Sequence, residues 1–182
     1  PTVNFQVGNI ANLPFIYDET KKLLIDEIVE KQIEISKEID AYNELSWNYK
    51  VNPFVKLYNK EKSFNENLIA YKKYIYNLYE QLDKNDEKIN IIFNEIYNTN
   101  INYSNKNNFK LSEKEIVEDI ISYIMGIVFN RYQINNYTNN FKQLNYVDIN
   151  IVIKEFENVI NLIFDDNKII LDYLRDDKNE EK

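Results

Sequence analysis

The sequence predicts an all-α protein: an antiparallel bundle of four long helices preceded by an extended arm. Three observations carry that expectation. Three Pro and two Gly are the only strong breakers in 182 residues, so little interrupts the chain. Apolar residues recur on alternating three- and four-residue steps through four segments, which sets them on one stripe of each helix. Two Ser-x-x-Glu tetrads, at 63–66 and 112–115, stand just before such stripes and read as capping boxes. With 44% hydrophobic and 29% charged residues, the composition is that of a folded chain able to bury one sizeable core.

Residues 1–17 hold Pro1, Gly8 and Pro14 and read as the arm. The first helix is expected over 18–49, with Asp18 as its cap and Glu19 favourable in the first turn. Its stripe is Ile25, Ile28, Ile35, Ile39, Tyr42 and Tyr49, with Gln32 and Ser46 in the gaps. Pro53 stops it, because the residue before a proline avoids the α region. The second helix has two candidate starts. Asn52 could cap a short helix with Pro53 at its first position, and Ser63 opens the longer run. The long stripe is Leu68, Tyr71, Ile75, Leu78, Leu82, Ile89, Ile92 and Ile96, interrupted by Asn85.

Residues 98–111 (NTNINYSNKNNFKL) form a polar, Asn-rich linker without periodicity. Ser112 then opens a third helix with the stripe Val117, Ile120, Ile124, Ile127 and Ile134, and with Arg131 in the gap. Residues 135–145 read either as a second loop or as a weak continuation. Asp148 is the expected cap of the fourth helix, whose stripe is Ile149, Val152, Phe156, Val159, Ile163, Ile170 and Tyr173, with Asp166 in the gap. The bundle is thus expected over 18–176, with a charged tail at 177–182. Breaks between the segments favour a self-packed monomer over an intermolecular coiled coil.

Composition narrows the function classes. The net charge of −8 leaves no basic face to displace counterions from phosphate, so nucleic acid is not an expected partner. An anionic membrane would repel the resting protein for the same reason. The chain has no Cys and no His, which removes thiolate and imidazole chemistry and the commonest metal ligands. Gly8 and Gly126 stand too far apart to build a phosphate-cradling loop. No enzyme activity, metal or cofactor is therefore expected. The longest apolar stretch, residues 120–129 (IISYIMGIVF), is about half of the roughly 20 residues a spanning helix needs. The chain opens at Pro1 without an initiator Met, which reads as a mature or trimmed form.

Four features could carry function. The polar residues in apolar stripes, Gln32, Ser46, Asn85, Arg131 and Asp166, either fix the register of the core or lower the cost of opening it. Arg131 and Asp166 could pair if the third helix runs past Asn135. The segment 116–129, with Ile120, Ile121, Ile124, Met125, Ile127, Val128 and Phe129, leaves almost no polar face. Such a helix is normally buried, and it could insert into a membrane or partner if the bundle opened. The tyrosines 71, 74, 76 and 79 cannot all face one core, and exposed Tyr anchors interfaces. Two N-x-Ser/Thr sequons begin at Asn102 and Asn136. The acidic pairs Glu27/Glu30 and Glu155/Glu157 look like solvated helix faces.

The Asn, Ile, Lys and Tyr bias and the insert NTNINYSNKNNF resemble proteins of malaria parasites. In length and helix pattern the chain is similar to the small secreted helical-bundle proteins with which sporozoites cross host cells. No motif carries this resemblance, so no functional residue transfers with it. It implies a secreted or surface protein acting at a host membrane or a protein partner during cell traversal. The competing expectation is a rigid binding or regulatory module, such as a viral or phage accessory protein. That module would present an apolar stripe on one helix, and Tyr74, Tyr76 and Phe93 are the candidates.

Overall fold

The structure, a computed structural model, describes residues 7–102, 109–134, 137, 148–164 and 170. All regular structure among them is helical: α1 (Val7–Ala11), α2 (Glu19–Ala41), α3 (Pro53–Leu57), α4 (Phe64–Tyr97), α5 (Glu113–Val128) and α6 (Ile149–Phe164).

The helix starts follow local chemistry. Asp18 Oδ1 accepts from Thr20 N at 2.9 Å and opens α2. Asn52 caps α3 by accepting from Val55 N at 3.1 Å, with Pro53 at the first position, where a missing N–H costs nothing. Both candidate starts of the second helix are therefore used, one by α3 and one by α4. Ser63 and Glu66 close a reciprocal box at the head of α4, and Ser112 and Glu115 do the same for α5. Asp148 Oδ1 accepts from Asn150 N at 2.8 Å ahead of α6.

The ends differ from expectation in two places. The first long helix stops at Ala41, not Tyr49. Asn43 Oδ1 accepts from Leu45 N, and Ser46 Oγ accepts from Asn48 N while donating to the Asp40 carboxylate at 2.6 Å. Side chains here take backbone donors that a continuing helix would need, and the chain breaks into tight turns. The third helix stops at Val128 instead of continuing to Ile134. Asn130 adopts φ 62°, Arg131 N donates to Gly126 O at 2.7 Å, and Asn130 N donates to Ile127 O at 3.0 Å. That is a Schellman closure with asparagine in the left-handed position usually filled by glycine. Asn98, at φ 50°, closes α4 in the same way. Ile149, expected on the core stripe, is exposed in the first turn of α6. Within residues 1–17, those from Val7 to Ala11 are helical.

The chain divides into two compact units, Pro1–Ile35 with Glu80–Asn107, and Ser36–Tyr79 with Asn108–Lys182. Both α2 and α4 contribute residues to each unit. In the second unit α5 and α6 pack together, burying Ile116, Val117, Ile120, Ile124 and Ile127 from one and Val152, Val159, Ile160 and Ile163 from the other. Phe54 is the centre of an aromatic cluster, with ring centroids 5.4 Å from Phe64, 5.5 Å from Tyr71 and 6.4 Å from Phe164. In the first unit, Ile28 and Ile92 are the buried apolar side chains among the described residues.

Candidate interaction surface

The first unit is held by polar links rather than by a filled core. Gln32 Nε2 donates to Asp86 Oδ1 at 2.5 Å, and Lys21 pairs with Glu95. The segment before α2 is pinned by Tyr97. Its hydroxyl donates to Pro14 O at 3.0 Å and accepts from Ile16 N at 3.3 Å. At the far end of α4, Asn90 and Asn94 both donate to Ile101 O, and Asn94 Oδ1 accepts from Ile101 N.

These links leave apolar side chains in water. Val7 is 85% exposed, Phe15 82% and Leu23 77%, and Ile10, Leu13, Ile16, Tyr17 and Leu24 are exposed as well. Every one of them lies within a stretch of eighteen residues, from 7 to 24. A cleft of about 280 Å³ lies in the same unit, walled by Phe15, Tyr17, Ile25, Phe93 and Ile96. Apolar side chains exposed at this density make residues 7–24 the candidate interaction surface of the unit.

The five polar stripe positions do not form one group. Gln32 is half-buried, and its Oε1 is buried without a hydrogen-bond partner among the described residues. Asn85 is buried in the same unit. Ser46 sits in the turns after α2 and bonds to Asp40. Arg131 is beyond the end of α5, its side chain 60% exposed, and it pairs with Glu44 at 3.3 Å instead of lying in a core. Asp166, its imagined partner, lies outside the described residues.

Within the apolar segment of α5, Ile120, Ile124, Ile127 and Val128 are fully buried, Ile121 and Met125 are half-buried, and Phe129 is exposed at the C-cap. Of the tyrosines on α4, Tyr71 is buried and Tyr76 is exposed. Tyr74 is half-buried and bonded to Glu38, and Tyr79 stacks on Phe109 at 4.2 Å. Glu155 is buried, with the Tyr137 hydroxyl donating to it, whereas Glu27 and Glu30 are exposed. Asn102 is exposed; Asn136 and Tyr173 lie outside the described residues.

Two carboxylate clusters in the second unit escaped sequence reading. Glu38 Oε1 accepts from the hydroxyls of Tyr42, at 2.6 Å, and Tyr74, and these bonds hold its carboxyl below the usual range. Glu44 accepts from Ser122 Oγ at 2.7 Å, from the Tyr132 hydroxyl at 2.9 Å and from Arg131. The Tyr132 ring in turn stacks on Tyr123 at 5.2 Å and meets Tyr49 edge-on at 5.4 Å. Tyr42 is one helical turn from Glu38, but Tyr74 and Tyr132 stand far from their acceptors in sequence, and spacing does not show that Glu38 joins two hydroxyls or that Tyr132 reaches Glu44.

Among the described residues no group of His, Cys, Asp and Glu could hold a metal, and no helix is long and apolar enough to cross a membrane. No family model matches the chain, and no curated protein or solved structure matches it either.

Proposed function

We propose that the protein is a non-enzymatic interaction module that docks on a macromolecular partner through the apolar run at residues 7–24. One observation carries this reading: the first unit buries only Ile28 and Ile92 among its described apolar side chains while exposing eight others in that run. Apolar surface left in water is costly at about 25 cal/mol per Å², and a partner that covers it recovers that free energy. The antiparallel four-helix arrangement that the four stripes favour, and action at a host surface as the resemblance implies, belong to the same proposal.

Photo-crosslinking side chains at positions 15 and 23 should trap one and the same species from a native extract. The same group at exposed Glu61, in the other unit, should not. Leu13→Asp should abolish both adducts. Equal, diffuse labelling from all three positions would sink the docking reading.

A second reading is opening onto a membrane, favoured by the Tyr123 hydroxyl on α5, which is buried with no hydrogen-bond partner among the described residues. An unsatisfied buried oxygen costs about 1–3 kcal/mol and brings an opened state closer. It requires the buried segment of α5 to be released. Dye release from liposomes, with α5 becoming protected from protease, is the expected result, and intact vesicles at every lipid composition and pH tried would eliminate it.

A further inference from the structure

A second site lies in the other unit and is independent of the docking surface. A pocket of about 290 Å³ is walled by the rings of Tyr42, Tyr71, Tyr79 and Phe109 and edged by the carboxylates of Asp40 and Asp119. No basic side chain lines it. Tyr79 and Phe109 are stacked, with ring planes 16° apart, which fixes one wall. Asp40 is engaged with Ser46 and Asn48. Asp119 has no hydrogen-bond or ion-pair partner among the described residues, and the charges acting on it are those of Glu44, Glu115 and Glu118, all negative. Tyr71 is only 9% exposed, its hydroxyl has no partner among the described residues, and the charge of Asp119 reaches it.

Such a pocket offers two acceptors unpartnered among the described residues, aromatic faces and a negative field, with no cation in its lining. We infer that it receives the guanidinium of an arginine side chain presented by a basic segment of a partner protein. Guanidinium is the fitting cation for three reasons. It is less strongly hydrated than an ammonium, so moving it among four rings is less costly. Its planar fork matches the Asp119 carboxylate, leaving a further N–H for the Tyr71 oxygen. Its face can lie against an aromatic ring. The volume falls just below the ~300–1,000 Å³ of small-molecule sites and suits one side chain. Glu44, Glu115 and Glu118 extend the negative field around Asp119, which selects an arginine flanked by other cations.

The test is a titration of the ¹⁵N-labelled protein with the blocked pentapeptide Gly-Lys-Arg-Lys-Gly. Its counterpart carries citrulline, of the same shape but neutral, in place of arginine. Saturable shifts should centre on Tyr79, Phe109 and Asp119. The citrulline peptide should bind at least about tenfold more weakly, equivalent to about 1.4 kcal/mol. Asp119→Asn should weaken the arginine peptide by a similar factor. Equal binding of the two peptides, or no saturable shift at the pocket, would overturn the site, and both outcomes are read on the unaltered protein. Ethylguanidine binding as tightly as the peptide would overturn the polypeptide source.

Discussion

Gly126 is the position at which a single methyl group should do most damage in the second unit. A Cβ added there falls 2.5 Å from Tyr132 Cε2 and closer still to Cδ2. Carbon atoms in contact stand about 3.5–4.0 Å apart, so the ring must move by an ångström or more. Its present position is held by the stack on Tyr123, the edge contact with Tyr49 and the hydrogen bond to Glu44. Each aromatic pair is worth about 0.5–1.5 kcal/mol. A hydrogen bond to a charged group adds about 1.5–3 kcal/mol, at the lower end here because Glu44 keeps contact with water. Losing most of this removes about 2–4 kcal/mol, against a gain of about 1 kcal/mol for alanine over glycine inside a helix. Gly126→Ala should therefore destabilise by about 1–3 kcal/mol in urea unfolding followed by tyrosine fluorescence and far-ultraviolet dichroism. In a Tyr132→Ala background the same change should be neutral or stabilising, because the obstructing ring is gone. A neutral effect in the unaltered protein, or equal costs in both backgrounds, would refute the packing assigned to Tyr132.

Three further outcomes are expected. Asp119 has its carboxyl pushed above the usual range by lost hydration and by Glu44, Glu115 and Glu118. Asp119→Asn should thus raise stability at pH 7 by roughly 0.5 kcal/mol, and the gain should vanish as pH falls below the unfolded carboxyl pKa; melting curves across pH would expose a constant gain as a contradiction. Glu38 has its carboxyl lowered by the Tyr42 and Tyr74 hydroxyls, so its contribution is present above the unfolded value of about 4.3 and is lost as pH falls through the lower folded value. Glu38→Gln should accordingly cost about 1 kcal/mol at pH 7 and nothing in acid, with a persistent difference in acid melts counting against the assignment. Asn67 is buried, its Oδ1 accepting from Asn59 N and its two amide protons shared among the carbonyls of Asn59, Lys62 and Ser63. Asn67→Leu should cost about 2–4 kcal/mol despite placing an apolar residue in an apolar setting, and a neutral urea midpoint would show those bonds to be dispensable.

Helix identity was legible in the sequence because its signals are local. Capping boxes at Ser63 and Ser112, the Asn52–Pro53 start and three- and four-residue apolar spacing all act within one or two turns, and each sits at a helix in the structure. Helix ends were less legible because periodicity continues past the point where other chemistry wins. Tyr42 and Tyr49 keep step with the first stripe, yet Asn43 and Ser46 divert the backbone into turns. Ile134 keeps step with the third, yet Asn130 closes the helix first. The Asn67 network and the Tyr132 stack depend on pairings 4–9 residues away or across helices, which spacing does not encode.

Exposure was the least legible property, and it is where function enters. Leu23 and Leu24 carry the same side chain as Leu68 and Leu78, yet the first pair is exposed and the second buried. Hydrophobicity states only what a side chain would gain from leaving water; whether it does so depends on the area that neighbours can cover. In the second unit, bulky neighbours such as Phe54, Phe64 and Phe164 fill that role around α4 and α6. In the first, the links are polar and slender: Gln32 to Asp86, Lys21 to Glu95, Tyr97 to Pro14. They hold the backbone in place without covering the aliphatic and aromatic groups beside them. A unit so arranged has low local stability when alone, and hydrogen exchange in α2 before Ile35 should outpace that in α5. A partner that covers residues 7–24 should slow the first exchange and leave the second unchanged, the signature separating a surface completed by binding from a core that merely packs loosely.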